Sequence, residues 1–374
     1  MNKVKSSYLE ILRIVSALYV FIWHFASETI KGDNYFCTCT FAKYWHLKKD
    51  SAHYFVVIFF LLSGYLITLS SLKKGVTYKS FIIDRLGRLY SVLIPALVFC
   101  FLIAIIINNG SFGMRDYIIH YNNLLYRFCI NILFLSQSFN LSGSPPLNQA
   151  VWSVQYEFIF YIFWGALIFL KKTRRIVVIL FLILISFPKI LFLFPLWLMG
   201  AMVFYFEKKK FHFIPSLLTF VVSTLIIFLF LIKPDLVPFN EFVNSDYFFG
   251  INLYFSANFR ADYIFGLIMM INFLSFFAIS EAMNCKIGQF LFFILFYTIV
   301  RKIGNCTYTL YLFHTPLLFL YATILPFNRF NNFHIFFLII LVVLSVYFIA
   351  RHTEWKVLYW REKVSKAFKI LYIK

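Results

Sequence analysis

The chain has 374 residues, of which 62% are hydrophobic and only 13% are charged, and its mean hydropathy is +0.81. About a quarter of the residues of a soluble chain are charged, so this composition excludes a soluble enzyme and a disordered chain. The apolar segments are continuous instead of alternating, which argues against a membrane β-barrel. The net charge of +20 would suggest nucleic-acid binding in a soluble protein, but the positions of the charges favour another explanation.

Apolar runs of about 20 residues, each long enough to cross a hydrocarbon core of about 30 Å, recur along the chain. The fifth and sixth are separated only by Phe187-Pro188-Lys189, so they form either two spans or one broken helix. The stretch 288–300 is too short to span and is predicted to be an interfacial or re-entrant helix. We therefore predict an all-α, polytopic membrane bundle of about ten transmembrane helices, at residues 10–27, 52–70, 89–108, 153–170, 175–188, 190–206, 213–232, 261–280, 305–325 and 333–350.

The basic residues are distributed unequally between the two sides of this bundle. Roughly two thirds of the 35 lysines and arginines lie in the termini and in the loops on the same side as the termini, and short cytoplasmic loops are those that collect Lys and Arg. Both termini are therefore predicted to be cytoplasmic. The net charge is explained without a nucleic-acid partner.

Two domains are predicted, a transmembrane domain over residues 1–350 and a basic cytoplasmic tail over 351–374. The tail alternates basic and apolar side chains, as an amphipathic helix on an anionic membrane surface does. The first apolar segment contains Arg13 and ends without a small-residue cleavage site, so it is predicted to be a spanning helix and not a removable signal peptide. The six cysteines, among them Cys37 and Cys39, show no metal-ligand spacing, and no metal site is expected.

Ionisable residues within a membrane span are costly and usually functional, and helix 1 carries Glu10, Arg13 and His24. Arg13 and His24 are three helical turns apart with an offset of only about 20°, so they share one face, about 16 Å apart along the axis. Glu10 precedes Arg13 by one turn and can pair with it. The alternative is an interfacial arginine and a buried histidine that only stabilises the bundle, but the shared face favours a functional pair.

Two further pairs lie on the cytoplasmic side of helices 2 and 3. Ser63 and Gly64 are small residues of the kind that let two helices pack closely. The alternative is that they leave space for a bound ligand. Arg85 and Arg88 are three residues apart at the start of helix 3, so their guanidinium groups share a face. Guanidinium groups are planar donors that bind phosphate well. Alternatively, the two arginines only belong to the positive charges that cytoplasmic loops collect.

Two later segments place polar residues at membrane depth. Glu157 follows Trp152 and lies at a depth similar to that of His24, where a carboxylate can orient an imidazole; alternatively it belongs to the aromatic interfacial belt. His314 lies near mid-membrane, and Pro316 frees backbone carbonyls one turn earlier. Tyr308 and Tyr311 are on the same side of the helix as His314. These side chains form either part of a functional site or a polar cluster that only packs helices around the proline.

Taken together, these segments resemble the acyltransferase 3 family of integral-membrane O-acyltransferases. The resemblance covers nearly the whole chain, and each segment is weak alone but specific as an ordered set. The sequence departs from the family pattern at Tyr65, at Cys306-Thr307 and at Glu354-Trp355. The similar segments are Arg13-x10-His24, Phe59-Phe60-x-x-Ser63-Gly64, Arg85-x-x-Arg88, Trp152-Ser153-x-x-x-Glu157 with Phe160-Tyr161, Phe194 to Gly200, and Ile303-Gly304 through Tyr308 with Tyr311-Leu312-x-His314-x-Pro316.

The resemblance implies transfer of an acyl group, commonly acetyl, from acyl-CoA to a hydroxyl of a cell-surface carbohydrate such as O-antigen, capsule or exopolysaccharide. It implies a bacterial inner-membrane enzyme with no permanently bound cofactor, whose partners are acyl-CoA (acetyl-CoA), a carbohydrate or lipid-linked glycan, and membrane lipids. On this view His24 acts as general base or forms an acyl-histidine, with Glu157 and Arg13 as further catalytic residues. Donor binding is assigned to Arg85, Arg88, Ser63 and Gly64, and the substrate path to Tyr311, His314 and Trp152.

Two other classes of function remain open from the residues alone. A secondary transporter or glycan exporter could carry buried Arg, His and Glu, but such proteins often show repeated halves and paired broken helices, which this sequence lacks. A membrane scaffold without chemistry would tolerate loss of His24 or Arg85. Dependence on an acyl-CoA donor separates the enzyme from a transporter.

Overall fold

The computed structural model describes residues 2–26, 49–109, 123–139, 141–209, 212–232, 247–287, 291–325 and 331–372. Cys37 and Cys39 lie outside these residues. Over the described residues the chain is helical except for connecting turns and one short antiparallel hairpin, β1 (Tyr247–Phe248) and β2 (Ile251–Asn252). The helices are α1 (Lys3–His24), α2 (Lys49–Ser71), α3 (Tyr78–Asn109), α4 (Leu124–Ile132), α5 (Val151–Phe169), α6 (Lys172–Ser186), α7 (Lys189–Phe206), α8 (Phe213–Ile232), α9 (Phe259–Ile287), α10 (Leu291–Gly304), α11 (Thr307–Ile324), α12 (Asn332–His352) and α13 (Val357–Tyr372), with 3-10 turns at Tyr254–Ser256 and Glu354–Lys356.

The predicted all-α membrane bundle is confirmed. Within the described residues, eight helices are long and apolar enough to cross a membrane: α1, α2, α3, α5, α7, α8, α9 and α12. The other two predicted segments are also helical. They are α6, which has 15 residues, and α11, whose His, Thr and Tyr side chains make it less apolar.

Large apolar side chains are exposed along several of these helices. On α8, Ile214, Leu218, Leu225 and Phe228 are each 60% exposed or more. Apolar surface of this extent on whole helix faces is costly in water and favourable against lipid chains. The exposure therefore agrees with a multi-pass membrane protein.

Helix α3 begins eleven residues earlier than the hydropathy predicts. Thr77 and Ser80 form a reciprocal cap, since the Thr77 backbone N–H donates to Ser80 Oγ over 2.9 Å and the Ser80 backbone N–H donates to Thr77 Oγ1 over 3.2 Å. This arrangement satisfies backbone donors that the first turn of a helix otherwise leaves without partners. As a consequence Arg85 and Arg88, predicted at the start of this helix, are its eighth and eleventh residues.

The chain divides into two compact units. The first unit comprises Met1–Val20, Lys48–Val76 and Ser186–Thr307, and the second comprises Phe21–Leu47, Thr77–Ile185 and Tyr308–Lys374. Helix α1 thus contributes most of its length to the first unit and its last residues, including His24, to the second.

In the first unit, α2 and α7 approach each other at two facing glycines. A Cβ on Gly64 would overlap the backbone carbonyl oxygen of Trp197, and a Cβ on Gly200 would overlap the carbonyl oxygen of Leu61. Only glycine permits this approach of two helix backbones, which is the small-residue packing expected in membranes. In the second unit α3 is the central helix, and α4, α5 and α13 pack against it.

Candidate active site

The site in the second unit is organised around α11, which Pro316 interrupts. Proline has no backbone N–H, so the carbonyl oxygen of Leu312, four residues earlier, lacks its usual helical donor. The Nδ2 of Asn148 donates to that oxygen over 2.7 Å, and the Oδ1 of Asn148 accepts a hydrogen bond from Thr315 Oγ1 over 3.3 Å. Asn148 is buried. The proline therefore creates an acceptor inside the bundle, and the segment before α5 satisfies it.

His24 and His314 face each other beside this interruption. Their ring centroids are 5.1 Å apart, and Phe21 and Tyr311 flank the His314 ring at 6.1 and 6.2 Å. His314 is fully buried, whereas His24 is half-buried. Two imidazoles that α1 and α11 bring together from opposite ends of the sequence form the centre of the candidate site.

The tautomer of His314 is fixed by its own helix. Its Nδ1 lies 2.9 Å from the backbone carbonyl oxygen of Leu310. Because a carbonyl oxygen only accepts, Nδ1 carries the hydrogen and Nε2 of the neutral ring carries a lone pair. Among the described residues, no hydrogen-bond partner reaches this buried Nε2. His314 therefore offers a proton acceptor inside the bundle.

Tyr311 lies beside His314 on α11, and Trp152 lies in the first turn of α5. The Tyr311 hydroxyl and Ser153 Oγ are 2.8 Å apart, and Ser153 Oγ also donates to the carbonyl oxygen of Ala150 over 3.3 Å. Trp152 is buried and contacts Tyr156 edge-on, with ring centroids 5.0 Å apart. These bonds fix the start of α5 against α11.

Glu157, placed by sequence at the depth of His24, belongs to a charged cluster around Arg88. The Tyr161 hydroxyl donates to Glu157 Oε1, and Arg88 lies within electrostatic range of Glu157, Tyr161, Tyr308 and Glu354. Two carboxylates thus compensate the charge of Arg88, although its side chain remains exposed. The structure therefore associates Glu157 with Arg88 through shared electrostatics.

Arg85 has different surroundings, although it lies only one turn from Arg88. It is 8% exposed, its guanidinium carbon lies 5.6 Å from the centroid of the Phe81 ring, and its Nε is buried without a hydrogen-bond partner among the described residues. The charged side chains within its electrostatic range are Asp84, Arg88 and Arg361. Arg85 is therefore the less compensated of the two arginines.

Three predicted residues lie in the first unit. Arg13 pairs with Glu10, with 2.6 Å between Nη2 and Oε2, as the spacing predicts, and Gly304 leaves room for this pair. Ser63 Oγ accepts a hydrogen bond from Trp197 Nε1 over 3.2 Å. Gly64 permits the approach of α7 described above. These contacts give Ser63 and Gly64 a role in helix packing, and their assignment to donor binding stays a prediction.

The structure also places three residues that the sequence analysis did not assign to the site. Asn148 satisfies the carbonyl freed by Pro316. Glu354 Oε2 accepts hydrogen bonds from the backbone N–H and from Oγ1 of Thr309, each over 3.0 Å, and so caps α11. Arg361 Nε lies 3.3 Å from Asp84 Oδ1, and Arg361 is within electrostatic range of Arg85. The free carbonyl at Leu312 could have been deduced from Pro316, but no local pattern names its partner.

The comparisons with known proteins identify the family of the chain. A family model described as an acyltransferase domain matches residues 6–352. The chain belongs to the acyltransferase 3 family. An O-acetyl transferase of Shigella phage Sf6 is 25% identical over 219 residues, which cover 54% of this chain and 61% of that protein. The chain thus spans less than two thirds of that relative. No solved structure matches the chain.

The family match includes some residues of the candidate site and excludes others. His24, His314, Arg85, Arg88 and Glu157 all fall within the matched residues. Glu354 and the whole of α13, including Arg361, follow the end of the match at residue 352. The site therefore combines residues of the shared family region with residues from the C-terminal segment.

Proposed function

We propose that this protein is a membrane enzyme that transfers an acyl group, acetyl in the first instance, from acyl-CoA to a hydroxyl of a cell-surface carbohydrate such as O-antigen, capsule or exopolysaccharide. The observation that carries the proposal is the His24–His314 pair, with its centroids 5.1 Å apart and the His314 tautomer fixed. Family membership supports the reaction class, and the name of the phage relative supports acetyl.

The proposed reaction needs a base for the acceptor hydroxyl. His24 removes that proton while the oxygen attacks the thioester carbonyl carbon, a task for which imidazole is suited near neutral pH. A C–O bond forms, the C–S bond breaks, and the CoA thiolate takes the proton from the imidazole. In the covalent variant the imidazole nitrogen of His24 displaces the CoA thiolate and forms an acyl-imidazolium. The acceptor oxygen then attacks the acyl carbon, the C–N bond breaks, and the freed imidazole takes the hydroxyl proton and passes it to the thiolate. Both routes place His24 at the reacting atoms.

The other site residues take supporting roles in this proposal. Arg85 and Arg88 bind phosphate groups of acyl-CoA, since guanidinium groups offer paired donors to phosphate, and Arg13 adds positive charge. Glu157 orients His24 or the acceptor. The substrate path is assigned to Tyr311, His314 and Trp152.

The proposal also places the enzyme in the membrane of a bacterium. The distribution of Lys and Arg supports an inner-membrane orientation with both termini in the cytoplasm, where acyl-CoA is available. The acceptor is then a carbohydrate or lipid-linked glycan that reaches the bundle from the membrane. No permanently bound cofactor is required by this chemistry, because acyl-CoA acts as a substrate.

The test compares surface glycan from cells that carry wild-type protein, no protein, or the variants His24→Ala and His352→Ala at matched protein levels. His352 is a suitable control, since its Nδ1 bonds Phe348 O over 3.0 Å as His314 bonds Leu310, but at an exposed position. Mass spectrometry with alkaline de-esterification should detect an alkali-labile acyl group only with wild type and His352→Ala. Equal acylation in all four strains would overturn the proposal for that glycan.

A further inference from the structure

The C-terminal helix α13 packs against α3 at Gly87, within two residues of the two arginines. An ideal Cβ built on Gly87 would lie 2.6 Å from Cγ and 2.9 Å from Cα of Arg361. Gly87 stands between Arg85 and Arg88 in sequence, so the backbone of α13 crosses α3 within two residues of both arginines, on the side of the helix that carries Asp84. Any side chain on residue 87 would push α13 away. The absence of a side chain is therefore what admits Arg361.

The charges around this crossing do not balance. Arg361 Nε lies 3.3 Å from Asp84 Oδ1, and both Arg361 and Asp84 are within electrostatic range of Arg85. Asp84 is thus the carboxylate shared by two guanidinium groups, whereas Glu157 and Glu354 compensate Arg88. The guanidinium groups of Arg85 and Arg361 carry like charges and repel each other. An anion bound between them would lower the electrostatic energy of the pair.

Both guanidinium groups have capacity to bind such an anion. The Nε of Arg85 is buried without a hydrogen-bond partner among the described residues, and the arginine itself is more than nine-tenths buried. A buried unsatisfied donor is costly and calls for a partner. The Arg361 side chain is 35% exposed, so it can be reached from outside. Phosphate oxygens are the acceptors that guanidinium groups bind best.

We infer that Arg361 is a third phosphate-binding arginine, which acts with Arg85 on a phosphate group of acyl-CoA. The inference rests on the proposed function. It assigns the C-terminal helix, which lies outside the family match, a direct part in donor binding. Arg361 would then set the affinity for the donor, while the acyl transfer step at His24 would proceed unchanged once the donor is bound.

The test measures CoA binding and acetyl transfer by the full-length protein in detergent. Equilibrium dialysis with radiolabelled CoA gives Kd, and initial rates give KM and kcat. Loss of charge-assisted hydrogen bonds to a phosphate should weaken binding about tenfold. For Arg361→Gln we therefore expect Kd and KM for the donor to rise about tenfold with kcat unchanged. Arg361→Lys, which keeps a positive charge, should recover part of the affinity.

Two further variants separate binding from helix docking. Lys363→Gln removes a positive charge from the same helix, where Lys363 Nζ lies 4.7 Å from the Tyr359 ring centroid, and should leave Kd unchanged. Gly87→Ala should displace α13 and raise Kd even though all three arginines remain.

The outcomes separate the two hypotheses. If wild type binds CoA and Arg361→Gln binds it equally well, the role of Arg361 is overturned and the proposed function stands. If wild type neither binds CoA nor transfers acetyl, the proposed function fails and the role of Arg361 fails with it. A lower thermal midpoint for Arg361→Gln with unchanged Kd would make Arg361 a structural clamp and also overturns the inference.

Discussion

The Nδ2 of Asn148 donates to the backbone carbonyl oxygen of Leu312 over 2.7 Å and takes the place of the donor that Pro316 cannot supply. Leu312 and Asn148 are separated by 164 residues in the sequence. This bond joins the segment before α5 to α11 within two residues of His314. The proline break and the asparagine together determine where α11 holds His314.

Replacing Asn148 with Ala should destabilise the protein by about 1–3 kcal/mol, because a buried carbonyl oxygen loses its donor. Replacing Pro316 with Ala in the same chain should recover part of that loss, since residue 316 then supplies the missing N–H. Thermal unfolding of the purified protein in detergent measures both effects. Pro316→Ala alone serves as the control. A double variant no more stable than Asn148→Ala would contradict the role assigned to Asn148.

His24→Ala should lower the rate of acetyl transfer by at least about 100-fold, which is the range for loss of a general acid–base group. His314→Ala should also lower the rate, because it removes the ring that faces His24. His352→Ala should retain the wild-type rate, because that residue makes the same local hydrogen bond on an exposed part of α12. Initial rates with acetyl-CoA and purified glycan measure this difference. Wild-type activity of His24→Ala would remove the imidazole pair from the mechanism.

Gly64→Ala should reduce the thermal midpoint and the yield of folded protein, since its Cβ would overlap the carbonyl oxygen of Trp197. Ser63→Ala removes one hydrogen-bond acceptor from Trp197 and should have a smaller effect, of about 1 kcal/mol. If Ser63 and Gly64 act only in helix packing, the KM for acyl-CoA of the folded fraction should equal that of wild type in both variants. A raised KM with unchanged stability would instead support the donor-binding role predicted from the sequence.

Glu354→Ala should destabilise the protein by about 1–3 kcal/mol, because the backbone N–H and hydroxyl of buried Thr309 both lose their acceptor. Glu354→Gln keeps an oxygen acceptor and should be closer to wild type. Glu362→Ala, on the exposed face of α13, should leave the midpoint unchanged, since Glu362 pairs with Lys366 on the surface. Equal midpoints for Glu354→Ala and Glu362→Ala would contradict the cap on α11.

The sequence by itself determined the class of the protein, because continuous apolar runs permit only membrane helices. It also determined the local pairs: the face shared by Glu10 and Arg13 follows from helical periodicity, and the salt bridge between them is present in the structure. The start of α3 was predicted wrongly. The cap at Thr77 and Ser80 starts this helix among polar residues that hydropathy assigns to a loop.

The tertiary structure alone decided which distant residues meet. His24 and His314 are 290 positions apart in the sequence, and no periodicity within α1 or α11 fixes the distance between their rings. The same holds for Glu157, which shares the electrostatic environment of Arg88, and for Arg361, which reaches α3 at Gly87. Local propensity and periodicity act over a few residues, whereas these contacts depend on how separate helices pack, and packing is decided by side-chain shape along whole helix faces.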